Sequence, residues 1–178
     1  MSVSQSPSAS GQQNEAASRA EALRELGTIL RQAGHDQDLQ AEVASLVGRA
    51  LGASRVGFAW LDRDRLNIAE DWTAPTVACI AGNYSTDLFV ETINRLGSGQ
   101  AIAVNDTEGS PWLRGDRGAY ASIGVRAFIK VPVSVAGALS GILFVHSAEP
   151  RDWSFSEIDF AREAAEQFSH ALGSRQSH

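Results

Sequence analysis

The sequence predicts an α+β domain in which helices at both ends flank a set of antiparallel strands. Apolar residues recur at helical spacing up to Gly52 and again after Trp153, whereas the residues that follow Gly52 alternate with a period of two. The clearest feature is a hairpin, in which two runs rich in β-branched and aromatic residues, 125–135 and 138–147, meet at Ala136-Gly137. Strands joined by so short a turn are antiparallel.

Composition argues against several classes of function. The 178 residues are 43% hydrophobic and 20% charged, which is normal for one globular domain. The net charge of −6 argues against a nucleic-acid or anionic-membrane surface, so neither is expected as a partner. No apolar run approaches the ~20 residues that span a bilayer, and the first residues do not resemble a secretory signal. The single cysteine, Cys79, excludes an internal disulfide, and a reducing cytoplasm is the expected location.

Composition and apolar spacing also set the expected boundaries. Residues 1–13 are rich in Ser, Gln and Gly and are predicted to form a disordered tail. The segment 14–34 is predicted to be an N-terminal helix that is available for dimerisation. Its apolar seam consists of Leu23, Leu26 and Leu30. The folded domain is assigned to residues 35–173 and starts with a second helix that Gly52 ends, and residues 174–178 are predicted to be a second disordered tail.

The middle of the chain is predicted to contain strands and one short helix. Residues 56–61 alternate as one strand, and a turn at 62–64 leads into a second, antiparallel strand. Residues 86–95 have helical spacing, and 101–104 form a short strand. The polar stretch 105–120 is predicted to be a long loop, and loops of this length are usually functional or mobile.

The final hairpin leaves its register open. Pro132 cannot donate to the strand ladder, which predicts a bulge or an edge-like position there. With a regular two-residue turn, Lys130 pairs with Leu143, and His146 then faces the other side of the sheet. A bulged turn instead places Lys130 and His146 on one face. The sequence permits both arrangements.

The last helix has a clear start. Ser154-Phe155-Ser156-Glu157 forms a capping box, and Trp153 and Ile158 have the spacing of a hydrophobic staple. The apolar seam that follows consists of Ile158, Ala161, Ala165, Phe168 and Leu172.

Four motifs between roughly Leu39 and Leu172 resemble those of GAF domains. Residues 99–106 resemble the G-x-x-I-x-V-x-D strand of the family, and residues 123–127 resemble the segment that leads into its central hairpin. Residues 141–146 are similar to its G-L-L-x-x-H strand, and residues 150–153 to its P-R-x-W entry to the last helix. The resemblance is closest to the GAF domains of phytochromes, cyanobacteriochromes and bacterial sensor kinases.

This resemblance implies an architecture and a role. The expected fold is a GAF-like antiparallel sheet of five or six strands, with the terminal helices on one face and a loop-covered pocket on the other. The expected role is a non-catalytic sensory or regulatory module that binds a small ligand or a partner and signals through its terminal helices in a two-component-type pathway. A homodimer is the implied assembly, and a histidine kinase or another signalling protein is the implied partner.

The usual photoreceptor chemistry is missing from the expected place. Bilin-binding GAF domains use a cysteine that is often followed by a histidine, and here that place holds Gly115 and Asp116. Cys79 is the remaining candidate for a covalent bond to a chromophore, although a free cysteine is expected to be buried as a small apolar residue. The cofactor is unknown, and a bilin is possible but not favoured. The alternatives are a bilin photoreceptor, noncovalent or linked through Cys79, and a protein-interaction domain without a ligand.

Five residues are predicted to line the pocket, namely Trp72, Phe128, Lys130, His146 and Tyr120. The aromatic rings suit a planar ligand, and the resemblance places His146 where a phytochrome histidine touches the bilin. The charge of Lys130 lies in an otherwise apolar strand, so it must reach solvent, a carboxylate or an anionic ligand.

Catalysis and metal binding are not expected. A second GAF branch reduces free methionine sulfoxide and needs several cysteines, whereas this chain has one. The four histidines are not at metal-ligand spacing. They are His35, His146, His170 and His178.

Overall fold

An antiparallel sheet forms the centre of the computed structural model, which describes residues 9–33 and 38–176. The strands are β1 (Arg55–Asp62), β2 (Arg65–Ile68), β3 (Asp71–Thr73), β4 (Gly82–Ser85), β5 (Ile102–Val104), β6 (Ala127–Val135) and β7 (Ala138–Ser147). The helices are α1 (Ala9–Gln32), α2 (Leu39–Leu51), α3 (Val90–Leu96), α4 (Arg117–Ser122) and α5 (Phe155–Gln176). Six strands follow the path β4-β2-β1-β7-β6-β5, and β3 pairs separately with β1. The predicted α+β class is confirmed, and the short β3 raises the number of strands to seven.

The three long helices cover one face of the sheet. The side chains between helices and sheet form the larger apolar core, in which the rings of Phe58 and Phe168 stack at 4.4 Å between centroids. Other members of this core are Leu26, Val43, Val47, Ile129, Val131, Leu143, Val145, Ala161 and Ala165. The placement of the terminal helices on one face is therefore confirmed. None of the helices within residues 9–33 and 38–176 has the length and apolar content needed to cross a bilayer.

Two predicted boundaries differ from the structure. Helix α1 is already formed at Ala9, so residues 9–13 are helical rather than part of a disordered tail. Helix α5 continues to Gln176, so residues 174–176 are helical as well. Extending a helix that has already nucleated costs little, which lets weakly helical residues join it. The rest of both predicted tails, and His35 and His178, lie outside the described residues.

The hairpin of β6 and β7 contains the bulge that decides its register. Val135 pairs with Ala138 across a two-residue turn, in which Ala136 and Gly137 have φ angles of 54° and 80°, as a type I′ turn requires. The register then shifts between Val133 and Ser134, next to Pro132, where the bulge is predicted. As a result Lys130 pairs with Phe144 rather than Leu143, and Phe128 pairs with His146. Lys130 and His146 therefore share one face of the sheet, which is the second of the two arrangements that the sequence permits.

The predicted capping box at the start of α5 is formed. The Ser154 hydroxyl accepts the Glu157 backbone N–H at 3.1 Å, and the Glu157 carboxylate accepts the Ser154 N–H at 3.0 Å. Trp153 is buried beside it, and its Nε1 donates to the Val104 carbonyl at 3.1 Å. These contacts fix the entry of α5 against β5.

Ser154→Ala is expected to lower the free energy of unfolding by about 1 kcal/mol, since it removes the acceptor of the Glu157 N–H. Urea denaturation measures the loss. Ser169→Ala is the matched control, because Ser169 lies inside the same helix and makes no such cap. An equal loss in both variants would show that the cap does not contribute.

The polar stretch 105–120 is more ordered than predicted. It contains a 3-10 turn at Pro111–Leu113 and the start of α4. Four of its side chains are buried, namely Thr107, Leu113, Asp116 and Tyr120. The Thr107 hydroxyl donates to the Val125 carbonyl at 3.1 Å, which ties the stretch to the start of β6. Small hydrogen-bonding residues thus anchor a segment whose polarity predicts a loop.

Candidate ligand pocket

A second apolar cluster lies on the sheet face opposite the long helices. Ala59, Ile142 and Phe144 form its floor, and it is covered by residues of the segment between β3 and β4, of β4, of the helical residues 86–96 and of the end of α4. The covering side chains are Ile80, Tyr84, Phe89, Thr92, Ile93 and Ile123. The cavity between floor and cover has a volume of about 30 Å³, which holds little more than a water molecule. Lys130 and His146 both line this cavity.

Lys130 is held in a cage of aromatic rings. Its Nζ lies 5.1 Å from the ring centroids of Tyr120 and Phe128, and 5.8 Å from those of Phe89 and Phe144. The residue is only 8% exposed, and none of the described residues accepts a hydrogen bond from the Nζ. Burial lowers the pKa of Lys130 to about 7, although the charge of Asp116 acts in the opposite direction. The amine therefore changes its charge near neutral pH.

His146 presents a hydrogen-bond donor to the same cavity. Its Nδ1 lies 3.3 Å from the Arg55 Nη1, and a guanidinium only donates, so the Nδ1 accepts and the hydrogen resides on the Nε2. The residue is 2% exposed, and its Nε2 has no hydrogen-bond partner among the described residues. Burial, together with the cations Lys130 and Arg55, lowers the pKa of His146 and keeps the ring neutral. A buried donor without a partner is rare in folded proteins.

Arg55 connects the sheet to both segments that cover the pocket. Its Nε and Nη2 donate to the Ala78 carbonyl at 3.0 and 2.8 Å, and its Nη1 donates to the Ile123 carbonyl at 3.2 Å. The Nε also lies 3.7 Å from the carboxylate of Asp71, whose side chain is fully buried. Sequence reasoning missed this residue. The signal in the sequence is an arginine directly before the apolar run of β1, and its place opposite His146 is seen only in the structure.

Asp116 caps a helix from a distance. Its carboxylate accepts the backbone N–H groups of Glu91 and Thr92 at 3.2 and 2.8 Å, and the Thr92 hydroxyl at 2.7 Å. These donors lie in the first turn of α3, which has no cap from its own N-cap side chain. The Thr92 hydroxyl also contacts the Tyr120 hydroxyl at 2.7 Å. Asp116 thus orders the cover of the pocket.

The sequence matches the GAF domain family over residues 37–172, which is most of the chain. The chain belongs to the GAF domain family. The match confirms the resemblance that the four motifs carry, and the structure confirms the fold that it implies. A comparison with curated protein sequences finds no significant match.

Solved structures with this GAF fold come from proteins of different activity. The phycocyanobilin-bound GAF domain from a cyanobacterial phytochrome has a TM-score of 0.78 at 18% identity, covering 90% of this chain and 97% of its own. The blue-light absorbing PixJ GAF domain of Thermosynechococcus elongatus has a TM-score of 0.70 at 21% identity, covering 88% and 90%. Free methionine-R-sulfoxide reductase from Neisseria meningitidis, in complex with its substrate, has a TM-score of 0.70 at 20% identity, covering 99% of both chains. At these identities the likeness shows the fold alone.

The structure brings four of the five predicted pocket residues of this GAF domain together. Lys130 and His146 line the cavity, and Phe128 and Tyr120 form part of the cage around Lys130. Trp72 is the exception and corrects the prediction. It pairs with Val56 in the sheet and packs against Gly48 of α2, so it belongs to the helix side.

Cys79 is exposed, and the expectation that it is buried was wrong. Its Sγ donates to the Asp71 carboxylate at 2.7 Å and accepts the Ala81 N–H at 3.3 Å. The hydrogen bond to Asp71 raises the pKa of the Cys79 thiol, so the reactive thiolate is disfavoured. The loop turns the side chain toward the carboxylate, while the next residue, Ile80, lines the cavity.

The sequence contains a stronger signal for Lys130 than its position in an apolar strand. The chain contains 15 Lys and Arg residues, and Lys130 is the only lysine among them.

No group of three or more His, Cys, Asp and Glu side chains within the described part of the chain is arranged to hold a metal ion.

Proposed function

We propose that this GAF domain is a non-catalytic sensory or regulatory module that binds a small ligand between Lys130 and His146. The observation that carries the proposal is the His146 Nε2, a buried donor without a hydrogen-bond partner among the described residues, which lines one cavity together with the buried residue Lys130. An unsatisfied buried donor costs roughly 1–3 kcal/mol. A ligand that offers an oxygen acceptor to both groups would recover that free energy.

Ligand entry requires the cover to move. The cavity of about 30 Å³ is far smaller than the ~300–1,000 Å³ of sites for drug-sized ligands. The cover consists of short elements. Arg55 of β1 donates hydrogen bonds to two of its segments, and Asp116 accepts a hydrogen bond from α3. A ligand that shifts these elements would therefore act on contacts that reach into β1.

The strands offer a route from the pocket to the terminal helices. Lys130 and His146 face the pocket, while their neighbours Ile129 and Val145 face α2 and α5. A shift of β6 or β7 on ligand binding would be felt by the helix face of the same strands. We propose that α1 and α5 carry this change to a second copy of the chain, or to a histidine kinase or another signalling protein in a two-component-type pathway.

A homodimer through the terminal helices is part of this proposal. A groove between α1 and α5 is lined by Leu23, Leu30, Ala33 and Ala171, which leave apolar surface beside the core. Leu26, the middle residue of the predicted seam, is fully buried within the protomer. Sedimentation equilibrium distinguishes a monomer from a dimer.

Ligand binding is tested by thermal denaturation with a panel of small neutral and acidic oxygen-containing metabolites. A ligand at 100 times its Kd stabilises the folded state by about 2.7 kcal/mol. Lys130→Met is expected to abolish the increase in Tm, because methionine keeps the packing and removes the donor. Arg162→Met, an exposed cation-to-methionine change on α5, is the control that should keep the full increase. Equal shifts in both variants would place the ligand elsewhere.

A bilin photoreceptor is the second candidate, because bilin-bound GAF domains are among the structures of the same fold. After expression with biliverdin or phycocyanobilin, we expect no pigment that remains bound under denaturing conditions, since Gly115 offers no nucleophile and the Cys79 thiol stays protonated. Absorption spectra and zinc-induced fluorescence of the denatured protein measure this. A covalent adduct that is lost in Cys79→Ala would support a photoreceptor linked through Cys79. Visible absorption that is present in the native protein and lost on denaturation would support a noncovalent bilin.

Catalysis is not part of the proposal. The fold is shared with a sulfoxide reductase, but the single cysteine of this chain offers no second thiol with which to form and resolve an internal disulfide.

A further inference from the structure

The single lysine of the chain is buried, and burial is the setting in which the protonation of lysine and that of arginine differ most. Fourteen of the 15 basic residues are arginine, and the remaining one, Lys130, is buried in the pocket. An arginine cannot lose its proton in a protein, whereas a buried lysine can become a neutral primary amine. The residue type therefore supplies a nucleophile that no arginine would supply.

The surroundings of Lys130 favour that neutral amine. The Nζ is enclosed by four aromatic rings and has no hydrogen-bond acceptor among the described residues. The carboxylate whose charge affects its pKa, Asp116, accepts hydrogen bonds from the backbone of α3 and from the Thr92 hydroxyl. A desolvated lysine in an apolar pocket is an activated nucleophile. With a pKa of about 7, roughly half of the amines are neutral at neutral pH.

Few charged or titratable groups face this site. They are Asp116 from the segment before α4, Tyr120 from α4, Tyr84 from β4, His146 from β7 and, behind His146, Arg55 from β1. The His146 Nε2–H is the donor among them that lacks a partner. It can donate to an oxygen on which negative charge develops beside Lys130.

We infer that Lys130 captures a small aldehyde or ketone as a reversible imine, an inference that rests on the ligand pocket proposed above. The amine lone pair attacks the carbonyl carbon, and the carbonyl oxygen takes up the proton that the nitrogen loses. Loss of water from this carbinolamine forms the C=N bond, and addition of water reverses the step, so that no oxidant or reductant is needed. The His146 Nε2–H would stabilise the carbonyl oxygen as it gains charge. A protonated imine would remain a cation within the same ring cage.

The apolar lining also defines the class of carbonyl compound. Ile68, Ile80 and Phe144 offer hydrocarbon surface beside the amine and no further charge. A short alkyl chain fits that surface, whereas a highly polar sugar aldehyde does not. The cavity of about 30 Å³ holds little more than a water molecule, so even a short carbonyl compound enters only when the cover moves.

Reductive trapping tests the inference. The full chain is incubated at pH 7 with propanal and sodium cyanoborohydride, which converts an imine into a stable propyl amine, and the product is measured by peptide mass mapping. Lys130 is expected to be labelled at least tenfold faster in the folded protein than in 6 M guanidinium chloride. At pH 7 an ordinary unfolded lysine is neutral in only about 4 of 10,000 molecules. A lysine that is merely buried would show the opposite order. The α-amino group of the same chain reports the reactivity of an exposed amine in both states.

Two further readouts separate this inference from the proposed function. His146→Leu is expected to slow labelling of Lys130, and the α-amino group should react as in the wild type. Faster labelling in the unfolded chain, or none in the folded chain, would overturn the imine. If propanal or another metabolite then still raises the Tm without cyanoborohydride, the ligand pocket stands and only the covalent step fails.

Discussion

Arg55→Met is expected to lower the free energy of unfolding by roughly 3–5 kcal/mol, the cost of breaking a buried ion pair by removing one partner. The change leaves the fully buried side chain of Asp71 without its guanidinium. It also removes the donors to the carbonyls of Ala78 and Ile123 and to the His146 ring. Because these contacts join β1 to both segments over the pocket, the cover should loosen as well as the sheet.

Urea denaturation measures the loss, and Arg126→Met provides the matched control. Arg126 also contacts two carboxylates, those of Asp106 and Glu108 at 3.1 and 3.3 Å, but its side chain is 34% exposed. Exposed pairs contribute about 0–1 kcal/mol, so the control should lose little. Adding Asp71→Asn to Arg55→Met should restore part of the stability, since it removes the unpaired charge. Similar losses for Arg55→Met and Arg126→Met would contradict the role assigned to Arg55.

Lys130→Met is expected to change how stability depends on pH. The pKa of Lys130 is about 7 in the folded protein and near its usual 10.5 in the unfolded chain, so between these values only the unfolded chain binds the proton. Stability rises with pH wherever the unfolded state binds more protons. The wild type should therefore gain about 1.4 kcal/mol per pH unit relative to Lys130→Met between pH 7 and pH 10. Below pH 7 the full penalty of the buried charge, roughly 4–5 kcal/mol, falls on the wild type alone.

The measurement is a series of urea denaturations at pH 6 to 10 for both proteins. Other groups with shifted pKa values, such as Cys79 and Tyr84, are present in both chains, so their effects cancel in the difference. A difference that stays constant from pH 7 to pH 10 would show that Lys130 keeps an ordinary pKa in the folded state.

The fold could be predicted from sequence because its signals are local. The hairpin turn, the capping box and the GAF motifs each lie within a few consecutive residues. The turn and the cap are formed in the structure as predicted, and the family match confirms the motifs. The helix ends were less predictable, since extending a formed helix costs too little for the sequence to specify its limit. Trp72 was misplaced because the side it faces depends on the pairing of β3 with β1, which a three-residue strand does not reveal.

The site could be predicted only in part, because its chemistry depends on long-range contacts. Phe128, Lys130, His146 and Tyr120 were predicted as pocket residues from residue type and family resemblance, and the structure brings them together. The roles of Arg55 and Asp116 were not predicted, because their partners are distant in the chain. The partners of Arg55 lie 16 to 91 residues away, and those of Asp116 lie 24 to 25 residues away. The exposure of Cys79 likewise depends on Asp71 in a neighbouring strand.

The bulge beside Pro132 has a consequence for how related chains are compared. Between the pairs Ser134–Leu139 and Val133–Gly141, β7 contains one residue more than β6. That extra residue decides which side chains of β7 lie on the same face of the sheet as a given side chain of β6. A relative could keep both the lysine and the histidine and yet, with a hairpin one residue shorter, direct them to opposite faces of the sheet. The length of this hairpin is therefore as diagnostic of the pocket as the identity of the residues that line it.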